Sequence, residues 1–172
     1  MYSLFKNGYC NWLATDLADQ LQTDDLEFDP KTSHISRLPT NNQEYVKILL
    51  NAIHNQIALT YVEPYAHSYK LLESDIKGNL PKDSKFCQFH SDSDEPSNVF
   101  FLLYFNDMSL IKEGGLHIQD NVIYPRYGEL VALLNDNPNI LHKVEHTEHR
   151  RIVACFDFLV DWNHDEISKS WI

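Results

Sequence analysis

"NVFFLLYFN", residues 98–106, decides how this chain is read. Its centre is an unbroken apolar run rich in Phe and Leu, flanked by the turn-forming stretches "DSDEPS" and "DMSLIKEGG". The run is far shorter than the about 20 residues a membrane-spanning helix needs, and its composition suits a strand buried in a wall of other strands. Similar pieces follow: "GGLHIQ", "NVIYP", "GELVALL", "ILHKVEH" and "RRIVACFDFLV", separated by "PRYG" and "NDNPN". "KFCQFH" and "AHSYKLLESDI" precede it, with the turn signal "GNLPKDS" between them. Many short strands with closely spaced turns predict a sandwich or barrel of the jelly-roll type.

Upstream the pattern changes. "NNQEYVKILLNAIHNQIALTYV" (41–62) reads as the strongest helix, with Asn42 as N-cap and Tyr45, Val46, Ile48, Leu49, Ala52, Ile53 and Ile57 on one broad apolar face. "YCNWLATDLADQLQ" (9–22) places Trp12, Leu13, Leu17 and Leu21 at helical spacing, and 23–40 is turn-rich with short extended pieces. The end, "WNHDEISKSWI", reads as a short helix or a tail. The expected class is α+β, mainly β, as one domain over 1–172. A helical part (1–65) packs outside a jelly-roll core at about 68–160.

Composition narrows the function. A net charge of −11 repels phosphate backbones, which disfavours nucleic-acid binding. Cys10, Cys87 and Cys155 are odd in number and far apart, the usage of a reducing compartment and not of a disulfide framework. No signal peptide is legible in "MYSLFKNGYC", and no apolar run is long enough for a membrane helix. A cytoplasmic protein, monomeric or homodimeric and away from membranes, is expected.

The nine histidines have to be weighed by spacing. His90 and Asp92 lie two apart at the end of an expected strand, so both side chains project to one face, with Cα atoms about 6.6 Å apart. Two His and one carboxylate on one side of a metal, with the other positions open, is the ligand set of non-haem iron(II) oxygenases. Candidates for the third ligand are His117, His142, His146 and His149. His142 follows Ile140 and Leu141 near a strand start, where it faces inward. His146 and His149 lie in polar "EHTEHRR", and His117 alternates with Leu116 and Ile118.

In order along the chain, "FHSD", "LLYFND", "EGGLHI", "YPRYGELVAL", "LHKV" and "HRRIVACFDF" resemble the 2-oxoglutarate- and iron(II)-dependent dioxygenases, in their prolyl 4-hydroxylase-like branch. The resemblance covers roughly 68–160. It implies a double-stranded β-helix (jelly-roll) core and His90, Asp92 and His142 as iron ligands. It also implies Arg151 as the cation that grips the distal carboxylate of 2-oxoglutarate, with Tyr104 donating to the same carboxylate. A guanidinium suits that task because its planar fork pairs with a carboxylate through two parallel bonds. Arg150 is the competing cation, and strand alternation sends the two to opposite faces. Gly114, Gly115, Pro125 and Gly128 match turn positions. The sequence departs from the pattern at "EHRR", where a Gly is frequent, at Cys87, where an aromatic is frequent, and at Asp157, where relatives carry a bulky residue.

The implied reaction is hydroxylation of an unactivated C–H bond, with O2 and 2-oxoglutarate consumed and succinate and CO2 released; ascorbate would keep the iron ferrous. The branch suggests a prolyl or other side chain in a peptide or protein as substrate; a free small metabolite is the alternative. Asp157, Asp94 and Glu95 are candidate substrate-facing residues. A non-catalytic cupin-like module binding a small ligand or metal is the rival reading, and a zinc hydrolase is a third.

Overall fold

The computed structural model describes residues 1–21, 26, 43–79, 87–91, 98–135 and 139–169. Chain order begins with α1 (Tyr2–Asn7), β1 (Tyr9–Leu13), α2 (Thr15–Ala18) and α3 (Gln43–Ile57). A π-turn over Ala58–Val62 and a 3-10 turn over Glu63–Tyr65 lead into β2 (Ala66–Asn79). Then come β3 (Val99–Tyr104), β4 (Leu116–Ile118), β5 (Asn121–Ile123), β6 (Glu129–Leu134), β7 (His142–Val144), β8 (Arg151–Trp162) and α4 (His164–Lys169). The strands form two antiparallel sheets, a larger one ordered β1-β6-β3-β8-β2 and a smaller one ordered β5-β4-β7. The class is mainly-β α+β.

β3 shows why the run at 99–104 is apolar without a break: all six residues are buried, because the strand has neighbours on both edges and a layer on each face. Val99, Phe101 and Leu103 point toward the helices. There they join Ala154, Phe156, Phe158 and Val160 of β8, Leu130 and Ala132 of β6, and Val46, Leu50, Ile53 and Ile57 of α3. Phe100, Leu102 and Tyr104 point the other way, into a second core with Val131, Leu133, Val153, Leu116, Ile118 and Val144. The molecule therefore has three layers: helices, large sheet, small sheet. The second core lies between the sheets.

Three expectations are corrected. Residues 9–13 are not helical: Gly8, at φ 79°, ends α1 and turns the chain into β1, which pairs with β6 from Tyr9↔Leu133 to Leu13↔Glu129. The N-terminal third thus contributes a strand to the large sheet, and only one helical turn, α2, remains of the expected helix. The apolar face of α3 is rotated from the expected one. Val46, Leu50, Ile53 and Ile57 are buried, while Tyr45 and Ile48 are 63 % and 57 % exposed. Among the described residues of "KFCQFH", only His90 bridges to another segment, so no strand forms at 87–90. Asn42, the stretch 27–40 and most of "GNLPKDS" lie outside the described residues. Cys10, Cys87 and Cys155 form no disulfide. No helix among the described residues is long and apolar enough to cross a membrane.

Candidate active site between the two sheets

His90 and His142 are brought together by the backbone. Each donates its N–H to the other's carbonyl, at 3.0 and 2.9 Å, in an isolated antiparallel bridge. Residues paired directly across such a bridge project their side chains to the same face. The two imidazole centroids accordingly lie 4.4 Å apart, with His142 buried and packed at 5.8 Å from the Phe100 ring. His142 pairs in register with Ile118, an inward residue of the small sheet, which places the imidazole in the space between the sheets. Nδ1 of His90 is 2.9 Å from the Gln88 carbonyl. A carbonyl can only accept, so Nδ1 carries a proton and Nε2 is the ring nitrogen left to face the inter-sheet space.

The other candidate histidines are placed elsewhere. His117 alternates with Leu116 and Ile118, so it is on the outer face of the small sheet, beside Phe89 and 3.9 Å from Glu145. His146 and His149 are on the surface, facing Glu148 and Glu113 at 3.5 and 3.0 Å. Asp92, Asp94 and Glu95 lie outside the described residues.

Arg151 opens β8 on the face that carries Val153 and Cys155, which is the face toward the small sheet. It is buried, at 2 % exposure, whereas Arg150 is half-buried. Its Nη2 donates to the Tyr104 hydroxyl at 3.3 Å, and its guanidinium carbon lies 5.3 Å from the centre of that ring. Nε and Nη1 are buried and have no hydrogen-bond partner among the described residues. A buried cation with two unsatisfied donors is costly, and natural interiors rarely keep one without a use. Burial raises the pKa of the Tyr104 phenol, so the hydroxyl stays protonated as a donor. The Arg151 stem is packed under Gly114. At φ 62°, that residue would bring an added Cβ to 3.4 Å from Arg151 Cδ and 3.0 Å from Met108 and Thr147. The glycine both makes the turn and lets it close over the arginine.

Asp157 lies on the same face of β8, half-buried, in register with Phe100, the residue packed on His142. Cys155 is between it and Arg151, and burial raises its thiol pKa. Sequence reasoning missed Thr147, a buried hydroxyl that donates to Glu113 at 3.0 Å and ties the turn of Gly114 to the approach of β8. It lies in a stretch so polar that burial was not signalled.

No protein-family model matches the chain, and no curated protein matches its sequence. Solved structures match its fold. HygX from Streptomyces hygroscopicus, with nickel and 2-oxoglutarate bound, aligns at a TM-score of 0.62 and 14 % identity, over 92 % of this chain and 85 % of its own. A 2OG-Fe(II) oxygenase family oxidoreductase from Burkholderia pseudomallei aligns at 0.55 and 16 %, over 94 % and 89 %. Prolyl 4-hydroxylases from Phytophthora capsici align at 0.59 and 16 %, over 92 % of this chain and 60 % of theirs. At these identities the likeness is one of fold. Many of the solved structures that share this fold are members of the 2OG-Fe(II) oxygenase family, prolyl 4-hydroxylases among them.

Proposed function

We propose that the chain is a 2-oxoglutarate- and Fe(II)-dependent dioxygenase domain, a double-stranded β-helix in architecture, that hydroxylates an unactivated C–H bond. The observation that carries this reading is the buried Arg151 fork. Its Nε and Nη1 have no partner among the described residues, beside the Tyr104 hydroxyl, in the same inter-sheet space as the imidazoles of His90 and His142. The donor set fits the two groups. Two imidazoles suit a divalent first-row metal, and a guanidinium fork beside a phenol hydroxyl suits a carboxylate.

In this reading His90, Asp92 and His142 would hold the iron. Arg151 and Tyr104 take the distal carboxylate of 2-oxoglutarate, which fixes the keto end relative to the histidines. When bound, the iron and the keto acid supply the oxidising chemistry, one oxygen atom of O2 going to substrate and one to succinate, with loss of CO2. Phe100, Leu102 and Val153 line the same space and keep water out. Asp157, on the shared face near Phe100, is the described residue best placed to meet substrate. A peptidyl side chain is the favoured substrate, since prolyl 4-hydroxylases are among the fold's relatives.

A cupin-like binding module would have no use for a buried guanidinium aimed into the barrel. Anaerobic titration with Fe(II) and then 2-oxoglutarate tests the proposal. A metal-to-ligand charge-transfer band is expected in the unaltered protein. It should be lost with its iron in His142→Ala, and lost with iron retained in Arg151→Met. If His142→Ala kept full iron-dependent 2-oxoglutarate turnover, the reading would be wrong.

A further inference from the structure

Arg151 is aimed from the backbone, because little holds it at the tip. The guanidinium has one long hydrogen bond, 3.3 Å to Tyr104. Its direction therefore depends on how firmly the first residues of β8 are fixed. The ladder between β3 and β8 runs out there: the last paired residues are Tyr104↔Val153, followed by one bond from Phe105 N–H to the Ile152 carbonyl at 3.0 Å. On its other edge β8 stays laddered to β2 as far as Asn79↔Arg151, so the strand start is held from that side and open only on the β3 side.

The side chain of Asn106 extends the ladder past that point. Its Nδ2 donates to the Arg150 carbonyl at 2.6 Å, and its Oδ1 accepts from the Ile152 N–H at 2.9 Å. These two backbone groups flank Arg151 on either side. One planar amide thus fixes both peptide units that carry Arg151, as a further rung of backbone would. Nδ2 is also 3.2 Å from the Met108 sulfur, and Met108 is part of the packing under Gly114 that confines the arginine stem.

The opposite end of β3 carries the same device with nothing to aim. Asn98 Nδ2 donates to the Val160 carbonyl at 2.8 Å and Oδ1 accepts from the Val160 N–H at 2.9 Å. Val160 faces the helix-side core. Equal chemistry at two ends, only one of them at the site, separates a role in stability from a role in aiming.

We infer that Asn106 is a positioning residue for the cosubstrate, holding Arg151 in the direction from which it grips a dicarboxylate. This rests on the reading of Arg151 as the carboxylate anchor. The test is the affinity for 2-oxoglutarate, measured anaerobically by calorimetric titration into protein loaded with redox-inert Mn(II), with the metal affinity measured separately. Asn106→Ala and Asn98→Ala should lower thermal stability alike, since each removes two similar bonds. Asn106→Ala should weaken 2-oxoglutarate by about tenfold and change metal affinity by less than about twofold, and Asn98→Ala should move neither by more than that. Should Asn106→Ala fold poorly, Asn106→Asp, which keeps the acceptor for the Ile152 N–H and loses the donor to the Arg150 carbonyl, is expected to weaken 2-oxoglutarate in the same selective way. Unchanged 2-oxoglutarate affinity in the folded Asn106 variants, or an equal loss in Asn98→Ala, overturns the inference. Arg151→Met distinguishes the two levels. If it binds 2-oxoglutarate normally, the anchor assignment falls and the inference with it; if it loses binding while Asn106→Ala does not, only the inference falls.

Discussion

Arg151→Met should make the protein more stable in the absence of 2-oxoglutarate and blind to its presence. The guanidinium is buried with Nε and Nη1 unpartnered among the described residues. An unsatisfied buried donor costs about 1–3 kcal/mol, so the pair costs about 2–6 kcal/mol. Against this, the variant gives up the 3.3 Å bond to Tyr104 and the contact with its ring, together worth about 1–2 kcal/mol. Methionine keeps most of the stem that packs against Gly114 and Met108. A net gain of about 2 kcal/mol raises Tm by about 4–8 °C at this chain length. Saturating 2-oxoglutarate, at about a hundred times its Kd, should add about 2.7 kcal/mol to the unaltered protein and nothing to the variant. Differential scanning calorimetry of Mn(II)-loaded protein, with and without 2-oxoglutarate, reads both effects. A variant less stable than the parent without 2-oxoglutarate would mean that the fork is satisfied by the fold itself. A variant still stabilised by 2-oxoglutarate would mean that the anchor lies elsewhere.

Three further outcomes are expected. His54 is buried against Phe156 and Phe158, and burial lowers its pKa to about 4, a bond from its ring to the Asp157 backbone offsetting only part of the shift. The folded state therefore binds the proton less readily than the unfolded chain, and stability falls as pH drops below about 6.5, by about 3 kcal/mol at pH 4. Urea unfolding at pH 7 and pH 4 should show that loss in the parent and not in His54→Phe. Tyr104→Phe removes the hydroxyl that the proposed function sets against the carboxylate and should weaken 2-oxoglutarate by about five- to tenfold with the fold intact, measured by titration and by circular dichroism. Gly128→Ala should cost about 2 kcal/mol or more, since at φ 73° an added Cβ would lie 2.7 Å from Thr15 Cα, and thermal unfolding reads this directly.

The strands at 99–104, 129–134 and 151–162 were legible because layers on both faces, or a clean alternation, left long apolar runs in the sequence. The strand at 9–13 was not, because its character comes from β6, a partner far along the chain, while locally Trp12, Leu13 and Leu17 mimic a helix. In α3, apolar residues surround most of the circumference, so periodicity identified a helix without fixing which side is buried; Leu50 and His54 are inward and Tyr45 and Ile48 outward. The pairing of His90 with His142 is a single bridge, too small to leave a strand pattern. Burial distinguishes Arg151 from Arg150, but nothing in the sequence discloses that the amide of Asn106 reaches both neighbours of Arg151.

The two faces of β8 divide its residues between different tasks. Ala154, Phe156, Phe158 and Val160 knit the large sheet to the helices, while Val153, Cys155 and Asp157 face the small sheet. A mutational library confined to the odd positions from 153 to 157, with Phe100 and Leu102 opposite, would repack the inter-sheet side while leaving the helix-side seam untouched. Under the proposed function, changes along one side of this single strand should shift substrate preference, and changes along the other should shift only stability.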